Sequence, residues 1–284
     1  MTTTAIAIDT KPRRSVTGRG KSIFTGLSII VVLAAILLAV FGPLLAPGDP
    51  NKTDIASAFF EPSSGAPLGL DSQGRDILSR LMVGAQSSMV GPLMVVIVAM
   101  TMGTIVALLA SWFGGWLDNL VTTVTDMMLG FPAIVLAVLA AAVFGPGLVG
   151  PTIALGFAYI PLTVRVLRSF LIRERSREYI LTYELQGLSG FLICVRHLMP
   201  NVAPMIIGQG TLLFGYAMVD FAAISFLGLG VQPPTADWGA MVAGGQRGVL
   251  LGYPTESLAA GACIVLVVLA VNYLGERISD RNES

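Results

Sequence analysis

The chain has 284 residues, of which 17 are basic and 17 acidic, so that 12% are charged and the formal net charge is zero. A soluble domain carries about 25% charged residues, and a disordered chain is polar and rich in charge, so both classes are excluded. Zero net charge also argues against a nucleic-acid binder, which needs a basic face. With 54% hydrophobic residues and a mean hydropathy of +0.79, the composition predicts a membrane protein with several spans.

Stretches without charged residues predict six transmembrane helices, and hence an all-α polytopic membrane protein. A helix needs about 20 apolar residues to cross the bilayer core. The first span is too long for a signal peptide and is expected to remain as an anchor. The third and fourth spans are separated by the turn sequence Phe144-Gly145-Pro146-Gly147. The predicted spans are Ile23–Ala46, Ser87–Trp112, Asn119–Val143, Val149–Phe170, Val202–Leu227 and Glu256–Gly275.

Lysine and arginine residues are divided unequally between the two ends of these spans. Thirteen of the 17 lie in the N-terminal tail (residues 1–22), around the loop after the fourth span, or in the C-terminal tail (residues 276–284). By the positive-inside rule, this face and both termini are predicted to be cytoplasmic. The opposite face has Lys52, Arg75, Arg80 and Arg247.

Between the first two spans, residues 47–86 are expected to lie outside the membrane. Prolines and glycines predict turns up to Gly74, and from Arg75 apolar residues recur at helical spacing. This pattern predicts a short helix that leads into the second span. On its charge pattern alone, the segment is interpreted as a surface helix whose charged face contacts water.

Few ionisable residues fall within the predicted spans, and apart from Glu256, which begins the last span, two of them are acidic, Asp126 and Asp220. Such residues are costly in a membrane and usually face a cavity or the interior of the bundle. Asp126 is predicted to pair with Arg165; the alternative is a site on a transport pathway or a proton site. On the second span, small residues at every fourth position favour close helix packing. These are Gly103, Ala107 and Ser111.

Two further loops carry patterns of interest. Residues 171–200, on the predicted cytoplasmic face, contain a short amphipathic helix ending near Gly187, with three leucines on one face (Leu181, Leu185 and Leu188). Such a helix needs lipid headgroups or a groove on a partner, and the pattern favours neither. In residues 228–255, on the outer face, two successive prolines stop a helix. There, Trp238 is interpreted as an interfacial anchor.

No catalytic or nucleotide-binding constellation is found in the sequence. A GxxxxGK[ST] phosphate loop is absent, and no serine has a partner base nearby. One histidine, His197, and two distant cysteines, Cys194 and Cys263, cannot supply a metal cluster. We therefore expect a non-catalytic chain with no cofactor of its own.

Several segments together resemble a known family. The outer segment Leu68–Leu81, the stretches Gly114–Asp118 and Asp126–Pro132, and above all Ser225–Pro234 with Asp237–Gly239 are similar to the inner-membrane permease of peptide-type ABC importers. That subfamily includes the dipeptide and oligopeptide permease C subunits. The resemblance covers nearly the whole chain and implies the type I ABC importer permease fold.

The resemblance also assigns a role to the cytoplasmic loop, which is similar to the family's motif for coupling to an ATPase. Gly187 and Pro200 have the expected spacing, but the motif's Glu-Ala-Ala triplet is replaced by Leu181-Thr182-Tyr183. The motif glutamate is therefore missing, and the nearest acids lie three residues to either side. The residues expected to couple to the ATPase are Glu178, Leu181, Glu184, Leu185, Gly187 and Pro200.

The remaining expectations from the resemblance concern partners. It implies a multi-pass subunit of the bacterial inner membrane, surrounded by lipid and paired with a second permease. Two cytoplasmic ATPases would hold ATP and Mg, and an external binding protein would deliver dipeptides, oligopeptides, glutathione, nickel chelates or haem-like ligands. The outer signature is Asp71, Gly74, Arg75 and Asp76. The expected gate or binding-protein contacts are Gln232, Pro233, Pro234, Asp237 and Trp238.

An alternative from a different class is a secondary transporter driven by an ion gradient. It would need protonatable residues along a path at the middle of the membrane, and commonly internal repeats. Asp126 and Asp220 are candidates for such residues, but no clear repeat is present.

Overall fold

The computed structural model describes residues 18–280, and the regular elements in that range are helices. Most of the predicted N-terminal tail and the last four residues of the C-terminal tail lie outside the described residues. A 3-10 turn at Ile55–Ser57 precedes α2, and a π-helical turn at Cys194–Leu198 joins α7 to α8. The helices are α1 (Gly18–Leu45), α2 (Ile77–Phe113), α3 (Gly115–Leu129), α4 (Ala133–Phe144), α5 (Val149–Arg175), α6 (Glu178–Leu185), α7 (Gly190–Ile193), α8 (Met199–Phe226), α9 (Trp238–Gly244), α10 (Gln246–Leu251) and α11 (Thr255–Asp280).

Five of the described helices are long and apolar enough to cross a membrane: α1, α2, α5, the continuous run of α7 and α8 over Gly190–Phe226, and α11. The bent pair of α3 and α4 makes a sixth if it is counted as one span. The predicted class, an all-α polytopic membrane protein, is therefore confirmed. We call the end of the bundle that carries α6 the α6 end, and the opposite end, which carries α9, the α9 end.

The third predicted span, Asn119–Val143, is not one continuous helix. Helix α3 ends at Leu129, α4 begins at Ala133, and the two are bent by 76°. Pro132 has no N–H to donate and disfavours a helical conformation at the residue before it, which breaks the helix at this point. The sequence prediction of one span here did not include this break, because it weighed the apolar length of the stretch above the proline.

The charged segment before α2 is buried, so the interpretation as a surface helix in water was wrong. The Asp71 side chain is only 1% exposed, and Arg75 Nε donates to its Oδ2 atom at 2.6 Å. The other carboxylate oxygen accepts the backbone N–H groups of Gln73 and Arg75. Arg80, also buried, donates from Nη1 to the Pro50 carbonyl at 3.0 Å. These hydrogen bonds offset the cost of removing the charges from water.

The short helix predicted from Arg75 and the second span form one helix, α2, of 37 residues. Asp76 caps its first turn by accepting the Ser79 N–H at 2.9 Å. Gly74 has a positive φ of 72°, and a Cβ atom there would lie 1.8 Å from the Asp54 carbonyl oxygen. A glycine at this position therefore lets the chain just before α2 approach the backbone of Asp54 closely.

Helix α2 packs along α5 through the small residues identified in the sequence. Gly103, Ala107 and Ser111 are all buried. A Cβ atom on Gly103 would lie 2.6 Å from Thr163 Cγ2, which is far inside van der Waals contact. The two backbones therefore approach closely, as the small-residue spacing predicted.

We predict that Gly103→Ala destabilises the protein, because the new methyl group must displace Thr163 in a buried contact. Overpacking of this kind costs about 1–3 kcal/mol. The measurement is the thermal unfolding midpoint of the purified protein in detergent. Gly261→Ala in α11 is the matched control, since nothing lies within 4 Å of a Cβ atom there. That control should be neutral or stabilising, and equal effects of the two substitutions would contradict the prediction.

Asp71→Asn should also destabilise the protein, because it leaves the buried Arg75 and Arg80 guanidinium groups without their carboxylate. Breaking a buried ion pair by removing one partner costs about 3–5 kcal/mol. The comparison is with Asp49→Asn at an exposed position in the same outer segment. An unchanged unfolding midpoint for Asp71→Asn would show that the buried pair contributes nothing.

Candidate functional site

At the α6 end, a short helix projects from the end of α5. Helix α5 finishes at Arg175, and the extended backbone at Arg177 turns the chain into α6. Ile180 is buried against an apolar cluster from α2, α5 and α8. Leu181 and Leu185, in contrast, are 53% and 90% exposed. One side of α6 therefore holds the helix to the bundle, and another side presents leucines outward.

A Schellman motif ends α6 at the glycine identified in the sequence. The Gly187 N–H donates to the Glu184 carbonyl at 3.0 Å, and the Leu188 N–H donates to the Tyr183 carbonyl at 3.2 Å. Gly187 has a φ of 78°, a conformation that residues with a Cβ atom rarely adopt. The cap fixes the direction in which the chain leaves α6.

A polar cluster joins α6 to both α5 and α8. Tyr179 Oη on α6 donates to Glu174 Oε1 on α5 at 2.9 Å, and Asn201 Nδ2 on α8 donates to Tyr179 Oη at 2.8 Å. Burial raises the pKa of the Tyr179 phenol, and the Glu174 carboxylate raises it further. The phenol therefore keeps its proton and can donate it. Arg177 Nε completes the cluster by donating to Glu174 Oε2 at 2.9 Å.

Aromatic contacts lie on both sides of α6, at the end of α5 and in the π-helical turn before α8. The rings of Tyr183 and His197 stack with centroids 4.0 Å apart. Arg175 donates to the Ser111 carbonyl at 2.7 Å and lies over the Trp112 ring. These contacts were not predicted from the sequence, because nothing in the local pattern relates Tyr183 to His197 or the end of α5 to the end of α2.

The exposed surface of this region combines apolar side chains with acids. We call it the α6 face; it consists of Glu178, Leu181, Glu184, Leu185 and Phe191, all exposed. Pro200, also exposed, lies in the first turn of α8. An amphipathic helix that presents leucines on a fixed base can insert into an apolar groove of another protein.

At the α9 end, Trp238 and Asp237 lie inside the protein. Trp238 is 2% exposed, and its Nε1 atom donates to the Leu81 carbonyl at 2.9 Å. Asp237 caps α9 by accepting the Ala240 N–H at 3.0 Å, and Ser88 Oγ donates to its other oxygen at 2.7 Å. The interpretation of Trp238 as an interfacial anchor was wrong, because its indole N–H finds a partner in the core.

The turn at residues 232–235 remains at the surface. Gln232, Pro233 and Pro234 are all exposed. Arg80 Nη1 reaches the Pro234 carbonyl at 3.5 Å, which links this exposed turn to the buried charge cluster of the outer segment. Burial raises the pKa of Asp237, while the hydrogen bond from Ser88 lowers it. Asp237 and Trp238 therefore attach the loop to the bundle, and Gln232, Pro233 and Pro234 belong to its accessible part.

Polar pairs lie along α5 between the two ends. Arg165 forms an ion pair with Asp126 of α3, and the two side chains are 58% and 53% exposed. Arg168 binds Asp118 of α3 through two hydrogen bonds. Nearer the α9 end, Tyr159 Oη donates to Asp220 Oδ2 of α8 at 2.7 Å. The structure thus pairs both span acids noted in the sequence with side chains of α5.

Comparison with known proteins identifies the family. The profile of the family described as "Binding-protein-dependent transport system inner membrane component" matches residues 99–283. The dipeptide transport system permease protein DppC of Alkalihalophilus pseudofirmus is 36% identical over 89% of this chain and 83% of its own length. The probable D,D-dipeptide transport system permease protein DdpC of Escherichia coli K12 is 34% identical over 90% of this chain and 86% of its own length.

A solved structure shares the fold. A chain from the MetNI methionine ABC transporter, in an inward-facing conformation, superposes with a TM-score of 0.58 at 17% identity, over 71% of this chain and 95% of that one. The type I ABC importer permease fold is therefore confirmed, and the comparisons give no support to a secondary transporter. The chain belongs to the family of binding-protein-dependent transport system inner membrane components, and it is a transport permease.

Proposed function

We propose that this chain is the permease subunit of an ATP-driven importer of di- or oligopeptides, and that α6 docks into a groove on a cytoplasmic ATPase. The observation that carries the proposal is the α6 face, whose exposed Leu181 and Leu185 project from a helix anchored by the buried Ile180. A peptide substrate is supported by the relatives, whose names are those of dipeptide and D,D-dipeptide permeases.

The sequence has no phosphate-binding loop, so ATP with Mg would be bound and hydrolysed in two separate ATPase subunits. Because Tyr179 binds both Glu174 of α5 and Asn201 of α8, a force applied to α6 would reach two spans together. ATP binding would then favour one of two arrangements of the bundle, open to one side of the membrane or to the other. Leu181 occupies the position of the motif glutamate. Glu178 and Glu184 would therefore be the carboxylates nearest to the groove of the ATPase.

The proposal assigns the α6 end to the cytoplasm of a bacterium and the chain to the inner membrane, as the excess of arginine and lysine at that end supports. A second permease would complete the pathway. Large apolar side chains of α3, of α4 and of the break between them are exposed and suit contact with such a subunit or with lipid; among them are Trp116, Phe131 and Phe144. Asp126, Arg165 and Asp220 would line the pathway between the two subunits.

At the α9 end, an external binding protein would dock against the exposed turn at Gln232, Pro233 and Pro234. The buried Arg80, which touches the carbonyls of Pro50 and Pro234, would hold this turn in place. Asp237 and Trp238 would anchor the loop rather than touch the partner, since both are buried. The outer signature from Asp71 to Asp76 would serve the same purpose from the other side.

We predict that Leu185→Asp uncouples transport, because it puts a charge where an exposed leucine enters an apolar groove. Loss of an interface anchor costs about 2 kcal/mol or more, which is roughly a thirtyfold weaker contact. Peptide uptake and substrate-stimulated ATPase activity of the reconstituted complex should both fall, while membrane insertion stays normal. Leu185→Met is the control and should retain both activities.

Gly187→Pro should have the same effect by a different route, since proline cannot adopt the positive φ of this cap and has no N–H for the Glu184 carbonyl. Unchanged uptake and ATPase stimulation in both Leu185→Asp and Gly187→Pro would contradict the docking of α6.

A charge swap tests whether the Asp126–Arg165 pair lines the pathway. We expect Asp126→Arg with Arg165→Asp to restore the ion pair and thermal stability, but to leave uptake several-fold low because the charges that substrate meets are reversed. The matched control is the same swap at Asp118 and Arg168, which are less exposed at 19% and 28%. Full recovery of uptake in the Asp126–Arg165 swap would instead give that pair a purely structural role.

A further inference from the structure

A groove of about 440 Å³ lies between α1 and α11. Its apolar part is formed by Leu27 and Val31 of α1 and by Leu266 and Leu269 of α11. This volume is in the range of about 300–1,000 Å³ that is common for small-ligand sites. By comparison, the cavity beneath Phe59 and Tyr253 at the other end measures about 50 Å³.

The groove changes from polar to apolar along its length. Helix α1 runs away from the α6 end and α11 runs back toward it, so Phe24 and Tyr273 lie together near that end, with ring centroids 6.4 Å apart. Asn272 and Glu276 line the same end of the groove, whereas Val31 and Leu266 line it about two helical turns nearer the α9 end. A ligand that fits must therefore have a polar head and a long apolar tail.

One described cation, Arg277, lies beside the polar end of the groove. Arg277 Nε donates to Tyr273 Oη at 3.4 Å, and no described residue forms a salt bridge with Arg277. Arg19 and Lys21 lie in the first turn of α1, at the same end of the bundle. These three cations outnumber the two acids at that end of α11, Glu276 and Asp280.

We propose that this groove binds an anionic glycerophospholipid of the phosphatidylglycerol type. One acyl chain lies between Val31 and Leu266, and the phosphate lies beside Arg277, where the phosphate oxygens accept hydrogen bonds from the guanidinium group. The glycerol hydroxyls of the headgroup donate to Glu276, which accounts for an acid at the mouth of a site for an anion. Basic pockets between helices at the membrane surface suit such headgroups.

The position of α1 favours lipid over a protein partner. Helix α1 packs against α2 and α11, and only 6% of its apolar window is buried. Ile23, Leu33 and Leu37 of α1 are all exposed, so the helix lies at the margin of the bundle, where hydrocarbon surrounds it. The inference requires only that the chain is embedded in a membrane, so failure of the proposed transport function would leave it standing.

Photocrosslinking tests the proposal on the full chain with its partner subunits. The complex is placed in nanodiscs of phosphatidylglycerol and phosphatidylcholine in equal amounts, with a diazirine on the acyl chain of either lipid. We expect phosphatidylglycerol to label Leu27 and Leu266 in preference to phosphatidylcholine. Arg277→Gln should reduce that preference roughly fivefold, since one cation at an anionic surface contributes about that factor.

Ser28→Phe fills the groove from α1 and should abolish most of the labelling. The matched control is Ile29→Phe, one residue further along the helix and outside the groove, which should label as wild type does. If Ser28→Phe fails to insert, Leu269→Trp fills the groove from α11 instead. Equal labelling by both lipids, or labelling that survives both filling variants, would each overturn the proposal.

Discussion

The close contact between α2 and α5 is the interaction on which the rest of the bundle depends. Apolar side chains gain little by leaving lipid for protein, so membrane helices associate where their backbones can approach closely. Gly103 permits that approach opposite Thr163, and Ala107 and Ser111 continue it toward the α6 end. The N-terminal end of α2 supports the loop that contains Trp238, and the C-terminal end of α5 leads into α6. Both candidate functional regions therefore rest on this one helix pair.

Within its eight residues, α6 has some side chains that attach it to the bundle and others that are exposed for contact with a partner. Ile180 and Tyr179 face the bundle, where one is buried among apolar side chains and the other is hydrogen-bonded to α5 and α8. Leu181 and Leu185 face away from it. A helix attached to two spans can transmit a displacement to both of them without detaching from the bundle. The proposed coupling between an ATPase and a permease requires such an attachment.

The few charged residues of the chain are used in two different ways. Around Asp71 they are buried and hydrogen-bonded, so they hold the outer segment, the loop before α9 and the start of α2 together. On α5, Arg165 and its partner Asp126 remain more than half exposed. Burial in the tertiary structure is what distinguishes the two sets.

Local patterns in the sequence determined much of this protein. The lengths of the apolar stretches predicted the helices, the spacing of small residues predicted the α2–α5 contact, and Gly187 marked the end of α6, because each feature depends on residues within a few turns. Pro132 is also a local signal for the break between α3 and α4, but the apolar stretch around it favoured the prediction of one span. The pairing of Asp126 with Arg165 was predicted from the sequence and is present in the structure. The tertiary structure alone decided that Trp238 is buried and that Arg80 reaches the carbonyls of Pro50 and Pro234. Those outcomes depend on partners far apart in the chain, as when the Trp238 indole donates to the Leu81 carbonyl, and only packing brings such partners together.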